Sequence, residues 1–225
     1  MTGYAATRDR VEHYFDRTAT AVWERLTSDA PVSGIRATVR AGRDRMRAAM
    51  LAELPADLAG ARVLDAGCGT GTMAVELARR GAEVVAVDIS PSLIAIARDR
   101  APASLPIRWE AGDMLDPRLG RFDHILAMDS MIYYAVPDIA RLLCEAAPRL
   151  GGRFVFTLAP RTPALMVMWQ VGRLFPRADR SPAMVPHRAT DIRRALGTEG
   201  RLTEGARVTS GFYISQAFVF EGGRA

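Results

Sequence analysis

The stretch Arg62-Val63-Leu64-Asp65-Ala66-Gly67-Cys68-Gly69-Thr70-Gly71 decides the fold, because an apolar run leads into a glycine-rich loop and a helical pattern follows. Gly67, Gly69 and Gly71 let the backbone turn sharply out of a strand and pass close to a ligand, where a Cβ would clash. Asp65 stands at the strand end, where a carboxylate would be unwelcome beside the pyrophosphate of a dinucleotide. The loop therefore indicates a nucleotide-type cofactor, although such a loop by itself is weak evidence.

Two further signals follow the loop. Residues 83–87 form an apolar, strand-like run that ends in Asp88, where an acidic side chain can accept both ribose hydroxyls of an adenosine. The sequence Asp88-Ile89-Ser90-Pro91 would also simply end a strand and cap a helix, and the two interpretations are compatible. The third signal is Gly112-Asp113-Met114, after the short run 106–109. NAD is the alternative ligand for a sequence that carries these three signals.

The composition is that of one ordinary globular domain. The chain has 225 residues, of which 49% are hydrophobic and 24% charged, enough for one sizeable core. No run approaches the roughly 18 apolar residues that a membrane span needs, and the first residues lack the pattern of a signal peptide. We therefore expect a cytoplasmic protein. Cys68 and Cys144 have no partner at a metal or disulfide spacing and are interpreted as packing residues.

All 30 basic residues are arginines, and the net charge is +5. A guanidinium group binds carboxylates through two parallel hydrogen bonds and stacks on extended π systems. The arginines are scattered rather than gathered into one run with interleaved aromatic residues, which weakens a nucleic-acid interpretation. Base-composition bias would also explain the absence of lysine.

Strand and helix signals alternate from about residue 61 onward, as in a parallel sheet covered on both faces. Strands are predicted at 62–66, 83–87, 106–110, 122–128 and 153–158, and helices at 71–80, 91–100 and 137–149. Two more strands are predicted at 206–210 and 212–220, with a tight turn or bulge at Gly211. The fold class is therefore α/β, with a doubly wound, mostly parallel seven-stranded sheet.

Two regions fall outside this alternation and are expected to decide the substrate. Residues 1–58 are predicted to be an N-terminal helical cap or lid, and 59–225 the core. The cap carries two apolar stripes, formed by Tyr14, Phe15, Val22, Trp23 and Leu26 and by Val39, Met46, Met50 and Leu51. These helices would alternatively only cover the sheet edge.

The second region, 160–188, is an insertion after the fifth strand that is rich in Met, Trp and Arg. Its residues include Met166, Met168, Trp169, Arg173, Leu174, Phe175, Arg177 and Arg180. An apolar lid with arginines suits a flat hydrophobic molecule that carries carboxylates.

The loop led by Asp65 resembles motif I of the class I S-adenosylmethionine methyltransferases. The wider sequence resembles the magnesium-protoporphyrin IX methyltransferases of chlorophyll and bacteriochlorophyll synthesis, over nearly the whole chain. The resemblance is carried by Tyr14-Phe15, Trp23-Glu24-Arg25, 65–69, Asp88-Ile89-Ser90, 159–162, Phe175-Pro176, His187 and 209–215. One departure is that many family members have a His-Tyr pair after the fourth strand, where this chain has Tyr133-Tyr134. Any role of that imidazole is therefore in doubt here.

The resemblance implies a Rossmann-like fold with a reversed final strand and S-adenosylmethionine as cosubstrate. The implied reaction methylates a propionate of magnesium-protoporphyrin IX, so that magnesium enters only as part of the porphyrin. The cofactor-binding residues are then expected to be Asp65, Gly67, Cys68, Gly69, Gly71, Asp88, Ile89, Gly112, Asp113, Met114 and Met128. No protein-bound metal is expected.

Tyr14 on the lid, with Tyr133 or Tyr134 at the end of the fourth strand, is predicted to orient the propionate or meet the magnesium. His187 is a candidate to ligate that metal or to donate to a carboxylate. Core packing is the alternative for each tyrosine.

The resemblance also makes the porphyrin-binding subunit of magnesium chelatase a plausible partner, and a weak peripheral membrane contact is compatible with the apolar lid. The alternative functions are methylation of another small apolar acid or quinone precursor, and a non-catalytic module that holds the cofactor or a tetrapyrrole.

Overall fold

A computed structural model of the chain describes residues 3–16, 34–163, 165–166 and 184–223. A seven-stranded sheet in the order β3-β2-β1-β4-β5-β7-β6 lies at its centre. The strands are β1 (Arg62–Ala66), β2 (Glu83–Asp88), β3 (Ile107–Ala111), β4 (His124–Ala127), β5 (Arg153–Leu158), β6 (Gly200–Ser210) and β7 (Tyr213–Gly222). The strand order changes direction between β1 and β4, which is where an open α/β sheet leaves a crevice at the carboxyl ends of its strands.

The sheet is mixed, so the prediction of a mostly parallel sheet was wrong in this respect. Strands β1 to β5 are parallel, with Leu64 opposite both Val85 and Ile125. Strand β7 runs antiparallel to both β5 and β6. Only Gly211 and Phe212 separate β6 from β7, and a connection of two residues forces an antiparallel return because a parallel one needs a crossover of about a dozen residues. Gly211 has a φ of 57°, a left-handed conformation that favours glycine.

The described helices are α1 (Tyr4–Tyr14), α2 (Gly34–Ala52), α3 (Thr72–Arg79), α4 (Pro91–Arg100), α5 (Val136–Ala146) and α6 (Ala189–Leu196). The helices predicted at 71–80 and 91–100 are confirmed as α3 and α4. The helix predicted at 137–149 ends earlier, since residues 147–149 form a short 3₁₀ turn. Helix α6 was not predicted. Strand β6 begins at Gly200, well before the predicted 206, and is interrupted by an irregularity between Glu204 and Arg207.

Apolar clusters cover both faces of the sheet. On one face, α5 and α6 pack on Val85, Phe154 and Phe156 among others. On the other face, α2 and α3 pack on β-strand residues through Met46 and Leu77, both fully buried. Helices therefore cover both faces of the sheet, and the glycine loop emerges at the carboxyl end of β1.

The segment 1–58 contains α1 and α2. Val22, Trp23 and Leu26 of the predicted first stripe lie outside the described residues, as do residues 167–183 of the predicted insertion. Among the described residues, no helix has both the length and the apolar character that crossing a bilayer requires.

Candidate functional site

A cleft opens at the carboxyl ends of the parallel strands, next to the point where the strand order changes direction. It holds about 1560 Å³ of empty space, part of it open to solvent. Most of the predicted site residues lie in its wall, namely Asp65, Gly67, Cys68, Gly69, Asp88, Ile89, Gly112, Asp113, Met114, Met128, Tyr133 and Tyr134. Gly71, Tyr14 and His187 are not among its described wall residues.

The glycine loop is tied to the neighbouring strand. The backbone amides of Gly67 and Cys68 donate to the carbonyl of Val87 at 2.7 and 3.0 Å. Gly69 has a φ of 54°, and the position of its missing Cβ is open space, so the backbone there is accessible to a ligand. Gly71 directly precedes α3, and a Cβ on it would stand 2.5 Å from the ring of Trp109. Gly71 therefore allows the loop to pack closely against Trp109, and Gly71 itself does not line the cleft.

Two buried carboxyl groups stand at the ends of β1 and β2. Asp88 accepts hydrogen bonds from the backbone amides of Gly69 at 2.8 Å and Ser90 at 2.9 Å. The side chain of Asp65 is buried, and its Oδ2 has no hydrogen-bond partner. Burial, with the charge of Asp88 as a second cause, raises the pKa of Asp65 to about 7. An unpartnered carboxyl oxygen in the wall of a cleft suits a ligand that is cationic or donates N–H groups.

Helix α1 contacts the end of β3 through Asp113. The hydroxyl of Tyr4 donates to Oδ1 of Asp113 at 2.6 Å, and Nη1 of Arg8 donates to Oδ2 at 3.2 Å. The ring of Tyr4 also stacks on that of Tyr134, with 5.0 Å between centroids. Both phenol pKa values are raised above their usual range, chiefly by burial, so the two hydroxyls stay protonated at neutral pH.

The end of α1 is joined to the region after β2. Just beyond the helix, Oδ1 of Asp16 accepts hydrogen bonds from the hydroxyls of Ser90 at 3.1 Å and Ser92 at 2.7 Å. Ser90 is the N-cap of α4. Helix α1 therefore reaches from the end of β3 to the end of β2, and its residues Tyr4, Arg8 and Val11 form part of the cleft wall.

The predicted catalytic tyrosines differ in their distance from the cleft. Tyr133 lies in the wall, where its ring packs edge-on against Phe15 with 6.1 Å between centroids. Phe15 is another wall residue, and Tyr14 packs edge-on against it at 5.1 Å. The structure thus brings Tyr133 and Tyr134 together in the wall, while Tyr14 stands behind Phe15.

His187 is buried behind the tyrosine segment. Its backbone amide donates to the carbonyl of Ala159 at 2.9 Å, and its imidazole is hydrogen-bonded to the backbone of Tyr134. Nε2 is buried and has no hydrogen-bond partner. Burial lowers the pKa of His187 to about 4, so the imidazole is neutral at neutral pH. Among the described residues, no group of three or more His, Cys, Asp or Glu side chains is placed to hold a metal ion.

Asp129, which was not predicted from the sequence, lies in the cleft wall two residues after the end of β4. Its carboxylate accepts hydrogen bonds from Nη1 of Arg43 at 2.6 Å and from the hydroxyl of Tyr213 at 3.1 Å. Thr157 donates to the same carboxylate and accepts from the Asp129 amide. Asp129 has a φ of 57°, which is uncommon for a residue other than glycine and occurs often at functional sites. Its position after a predicted parallel strand was a signal available in the sequence.

A row of arginines on α2 was also not predicted from the sequence to belong to the site. Arg40, Arg43 and Arg47 are spaced by three and four residues, so they lie on one side of the helix, and all three line the cleft. Arg47 donates to Glu76 at 2.6 Å and to Asp44 at 2.8 Å. The helical spacing of the three arginines was visible in the sequence, but only the fold shows that this side faces the cleft.

The cleft fits S-adenosylmethionine, whose amino acid portion carries an ammonium and a carboxylate beside the sulfonium. Asp65 offers an unpartnered carboxyl oxygen at the end of β1. The backbone at Gly69 is open, and Asp88 lies next to it at the end of β2. Carboxylates are the side chains that suit ribose hydroxyls and cationic groups, and arginines suit a carboxylate.

Two family models match the chain. One is described as the magnesium-protoporphyrin IX methyltransferase C-terminus and matches residues 127–221, and the other is a methyltransferase domain that matches residues 63–151. The magnesium-protoporphyrin O-methyltransferase of Rhodobacter capsulatus is 56% identical over 220 residues, which cover 96% of this chain and 97% of the relative. A ubiquinone biosynthesis O-methyltransferase of Xanthomonas oryzae is 34% identical over 130 residues, which cover 54% of each chain.

A solved structure shares the whole fold. The crystal structure of magnesium protoporphyrin IX methyltransferase from Synechocystis PCC 6803 with bound SAH has a TM-score of 0.79 and 26% sequence identity. The match covers 94% of this chain and 98% of that chain. The chain therefore has the class I methyltransferase fold, with β7 antiparallel in its sheet.

Proposed function

The chain belongs to the magnesium-protoporphyrin IX methyltransferase family, and from that premise we propose that it methylates a propionate carboxylate of magnesium-protoporphyrin IX with S-adenosylmethionine. The products are the monomethyl ester and S-adenosylhomocysteine. The observation that carries this proposal is the 56% identity to the Rhodobacter capsulatus enzyme, because it extends over 96% of the chain and is not confined to the cofactor-binding half.

The cofactor is proposed to lie along the ends of β1 to β4. Asp88 would accept the ribose hydroxyls, and the segment from Gly112 to Met114, with Asp113, would hold the adenine. Asp65, the glycine loop and Met128 would surround the amino acid portion. When bound, S-adenosylmethionine supplies a methyl group on a positively charged sulfur. The open backbone at Gly69 and the unpartnered oxygen of Asp65 support this placement.

The reaction requires alignment of the propionate with the methyl donor more than it requires proton transfer. A carboxylic acid with a pKa of about 4.3 is already ionised at neutral pH, so the propionate needs no general base. Its attack in line with the carbon–sulfur bond neutralises a negative and a positive charge together. Exclusion of water removes solvation that favours the charged reactants over the less charged transition state, and fixed orientation supplies the remaining acceleration. Helices α1 and α2, as a cap over the cleft, would provide both.

The hydroxyl of Tyr14, with that of Tyr133 or Tyr134, is proposed to orient the reacting propionate or to meet the magnesium. The packing of Phe15 between Tyr14 and Tyr133 supports this arrangement. Replacing Tyr14 with Phe should lower turnover and leave affinity for S-adenosylhomocysteine nearly unchanged. Unchanged turnover in this variant would contradict a role for its hydroxyl.

His187 is proposed to act on the porphyrin, as a magnesium ligand or as a donor to a carboxylate. Its neutral imidazole and its unpartnered Nε2 support a ligand role, while its position behind Tyr134 supports a role in holding that segment. Magnesium prefers oxygen ligands, which argues against His187 as its ligand. The visible spectrum of magnesium-protoporphyrin IX bound to His187→Ala distinguishes a role as magnesium ligand from a role in holding the Tyr134 segment. A spectrum and affinity equal to those of the wild type would exclude ligation.

A cytoplasmic location, a weak peripheral contact with a membrane, and substrate handover from the porphyrin-binding subunit of magnesium chelatase are further parts of the proposal. Phe212 in the β6–β7 turn and Ile35 at the start of α2 are exposed apolar residues, which supports a surface contact. The hydroxyl of Ser210 donates to the carbonyl of Thr38, so this turn and this helix start are adjacent.

The decisive experiment incubates the pure protein with labelled S-adenosylmethionine and magnesium-protoporphyrin IX and looks for an ester product. Formation of the monomethyl ester is expected. A protein that instead methylates a quinone precursor would show no tetrapyrrole turnover, and a non-catalytic module would bind without any product. Either result would overturn the proposed function.

A further inference from the structure

We propose that Tyr4 is a positioning residue of the cofactor site: its hydroxyl holds Asp113 so that one carboxylate oxygen accepts a hydrogen bond from the 6-amino group of adenine. The inference rests on the cofactor placement in the proposed function, because it assumes that the segment around Asp113 holds the adenine. It makes the first residue of α1, 109 positions away from Asp113 in the sequence, a determinant of which nucleobase the cleft accepts.

The hydrogen bonds of Asp113 distinguish its two carboxylate oxygens. Oδ1 accepts from the hydroxyl of Tyr4 at 2.6 Å and from the backbone amide of Leu115 at 2.9 Å. Oδ2 accepts from Nη1 of Arg8 at 3.2 Å. Each carboxylate oxygen has about two acceptor positions, so the bonds made by the described residues fill Oδ1 and leave one position on Oδ2. Oδ2 is therefore the oxygen that suits a further N–H donor.

The ring of Tyr4 is fixed on α1 by its neighbours. It stacks on the ring of Tyr134 with 5.0 Å between centroids, and the guanidinium carbon of Arg141 lies 5.7 Å from its centroid. Burial raises the pKa of the Tyr4 phenol above its usual range, so the hydroxyl keeps its proton and donates at neutral pH. The Arg8 side chain, by contrast, is 35% exposed, and its bond to Asp113 is longer. Tyr4 is therefore the donor of α1 that defines the orientation of the carboxylate.

The chemistry of the bases gives this placement a measurable consequence. Adenine carries an amino group at carbon 6, which donates hydrogen bonds, whereas hypoxanthine carries a carbonyl oxygen there, which only accepts. An ionised carboxylate also only accepts, so a well-placed Asp113 binds the amino group and repels the carbonyl oxygen. The preference for adenine over hypoxanthine therefore reports how well Asp113 is oriented, while a general loosening of the cleft would weaken both ligands alike.

Calorimetry of Tyr4→Phe provides the test, with S-adenosylhomocysteine and S-inosylhomocysteine as the two ligands. The wild type should bind the adenine compound more tightly. The variant keeps the ring and loses only the hydroxyl, so its dissociation constant for S-adenosylhomocysteine should rise about three- to tenfold. Its dissociation constant for S-inosylhomocysteine should stay within about twofold of wild type, since that ligand lacks the amino group. The ratio of the two constants should therefore move towards one.

The matched control is Thr7→Val, which removes another buried hydroxyl from α1, one that accepts from Arg10 at 3.1 Å. It should leave the ratio unchanged. A ratio in Tyr4→Phe equal to that of the wild type, or an equal fall in Thr7→Val, would overturn the inference. A wild type that binds both ligands equally would overturn the adenine placement and the inference with it. A wild type that prefers the adenine compound but forms no ester would instead refute the proposed reaction and leave the role of Tyr4 standing.

Discussion

We expect the buried carboxyl of Asp65 to couple protonation to cofactor binding. Its pKa of about 7 means that the group is largely protonated below pH 7 and largely ionised above it. An ionised carboxylate attracts the cationic groups of the cofactor, and a protonated one does not. The affinity for S-adenosylmethionine should therefore fall as pH decreases below 7, by up to tenfold per unit.

Calorimetric titrations between pH 5.5 and 8 measure this effect. Asp65→Asn should bind the cofactor more weakly at pH 8 and lose most of the pH dependence, with any remainder due to Asp88, whose pKa burial also raises. A wild-type dissociation constant that does not change over this range would contradict the coupling.

Folding stability gives an independent check on Asp65. Because the pKa in the folded state is above the ordinary value of 3.8, the folded protein binds the proton more tightly than the unfolded chain. The stability contribution is complete below about pH 4 and is lost as pH rises to about 7. Unfolding in urea without ligand should therefore show Asp65→Asn to be more stable than wild type at pH 8, by roughly a few kcal/mol, with the difference shrinking towards pH 4.

Asp129 combines a left-handed backbone with a carboxylate that holds Arg43 and Tyr213. Asparagine tolerates this conformation and keeps one carbonyl acceptor, but it removes the charge that pairs with Arg43. Asp129→Asn should therefore lower kcat/KM at least tenfold, and it should lower the Tm because its amide nitrogen faces a donor and leaves Arg43 without its carboxylate. Asp129→Ala should also lower the Tm, since alanine pays about 1 kcal/mol or more in this conformation. Equal activity of wild type and Asp129→Asn would exclude a role for the charge.

At the scale of elements, Ser90 links two helices. Its side chain accepts a hydrogen bond from the amide of Leu93 as the N-cap of α4, and donates to Asp16 beyond α1. Ser92 donates to the same carboxylate without capping the helix. Ser90→Ala should therefore destabilise the protein by about 1–2 kcal/mol more than the matched Ser92→Ala.

Urea unfolding of the two variants measures the difference. Since both lose a bond to Asp16, both should also show faster amide exchange in residues 3–16 than wild type. Equal stabilities of the two variants would show that the cap contributes nothing to folding.

At the scale of the whole molecule, one aromatic stack joins the parallel and antiparallel parts of the sheet. Phe156 on β5 is fully buried and stacks on Phe218 of β7, with 5.6 Å between ring centroids. Phe156→Ala should destabilise the fold by about 3–5 kcal/mol, because it leaves a cavity between β5 and the face of α5. The control Phe212→Ala, at a residue that is 62% exposed, should change the stability by less than about 0.5 kcal/mol. Similar losses in both variants would contradict this account of the core.

The sequence determined the cofactor half of the molecule. The glycine loop, the acidic ends of β1 and β2 and the capped start of α4 are local patterns, because tight turns, buried strands and helix caps each demand particular residues within a few positions. Their predicted bounds agree with the structure to within one or two residues. The resemblance to a family could be stated from the same residues and those flanking them.

Only the tertiary structure decided how the rest of the cleft is built. The antiparallel pairing of β7 with β5, the burial of His187 behind Tyr134 and the meeting of Arg43 with Asp129 and Tyr213 depend on which distant segments pack together. These contacts join residues more than fifty positions apart, and no local propensity specifies them. They follow from the burial of two apolar faces of one sheet, which is a property of the whole chain.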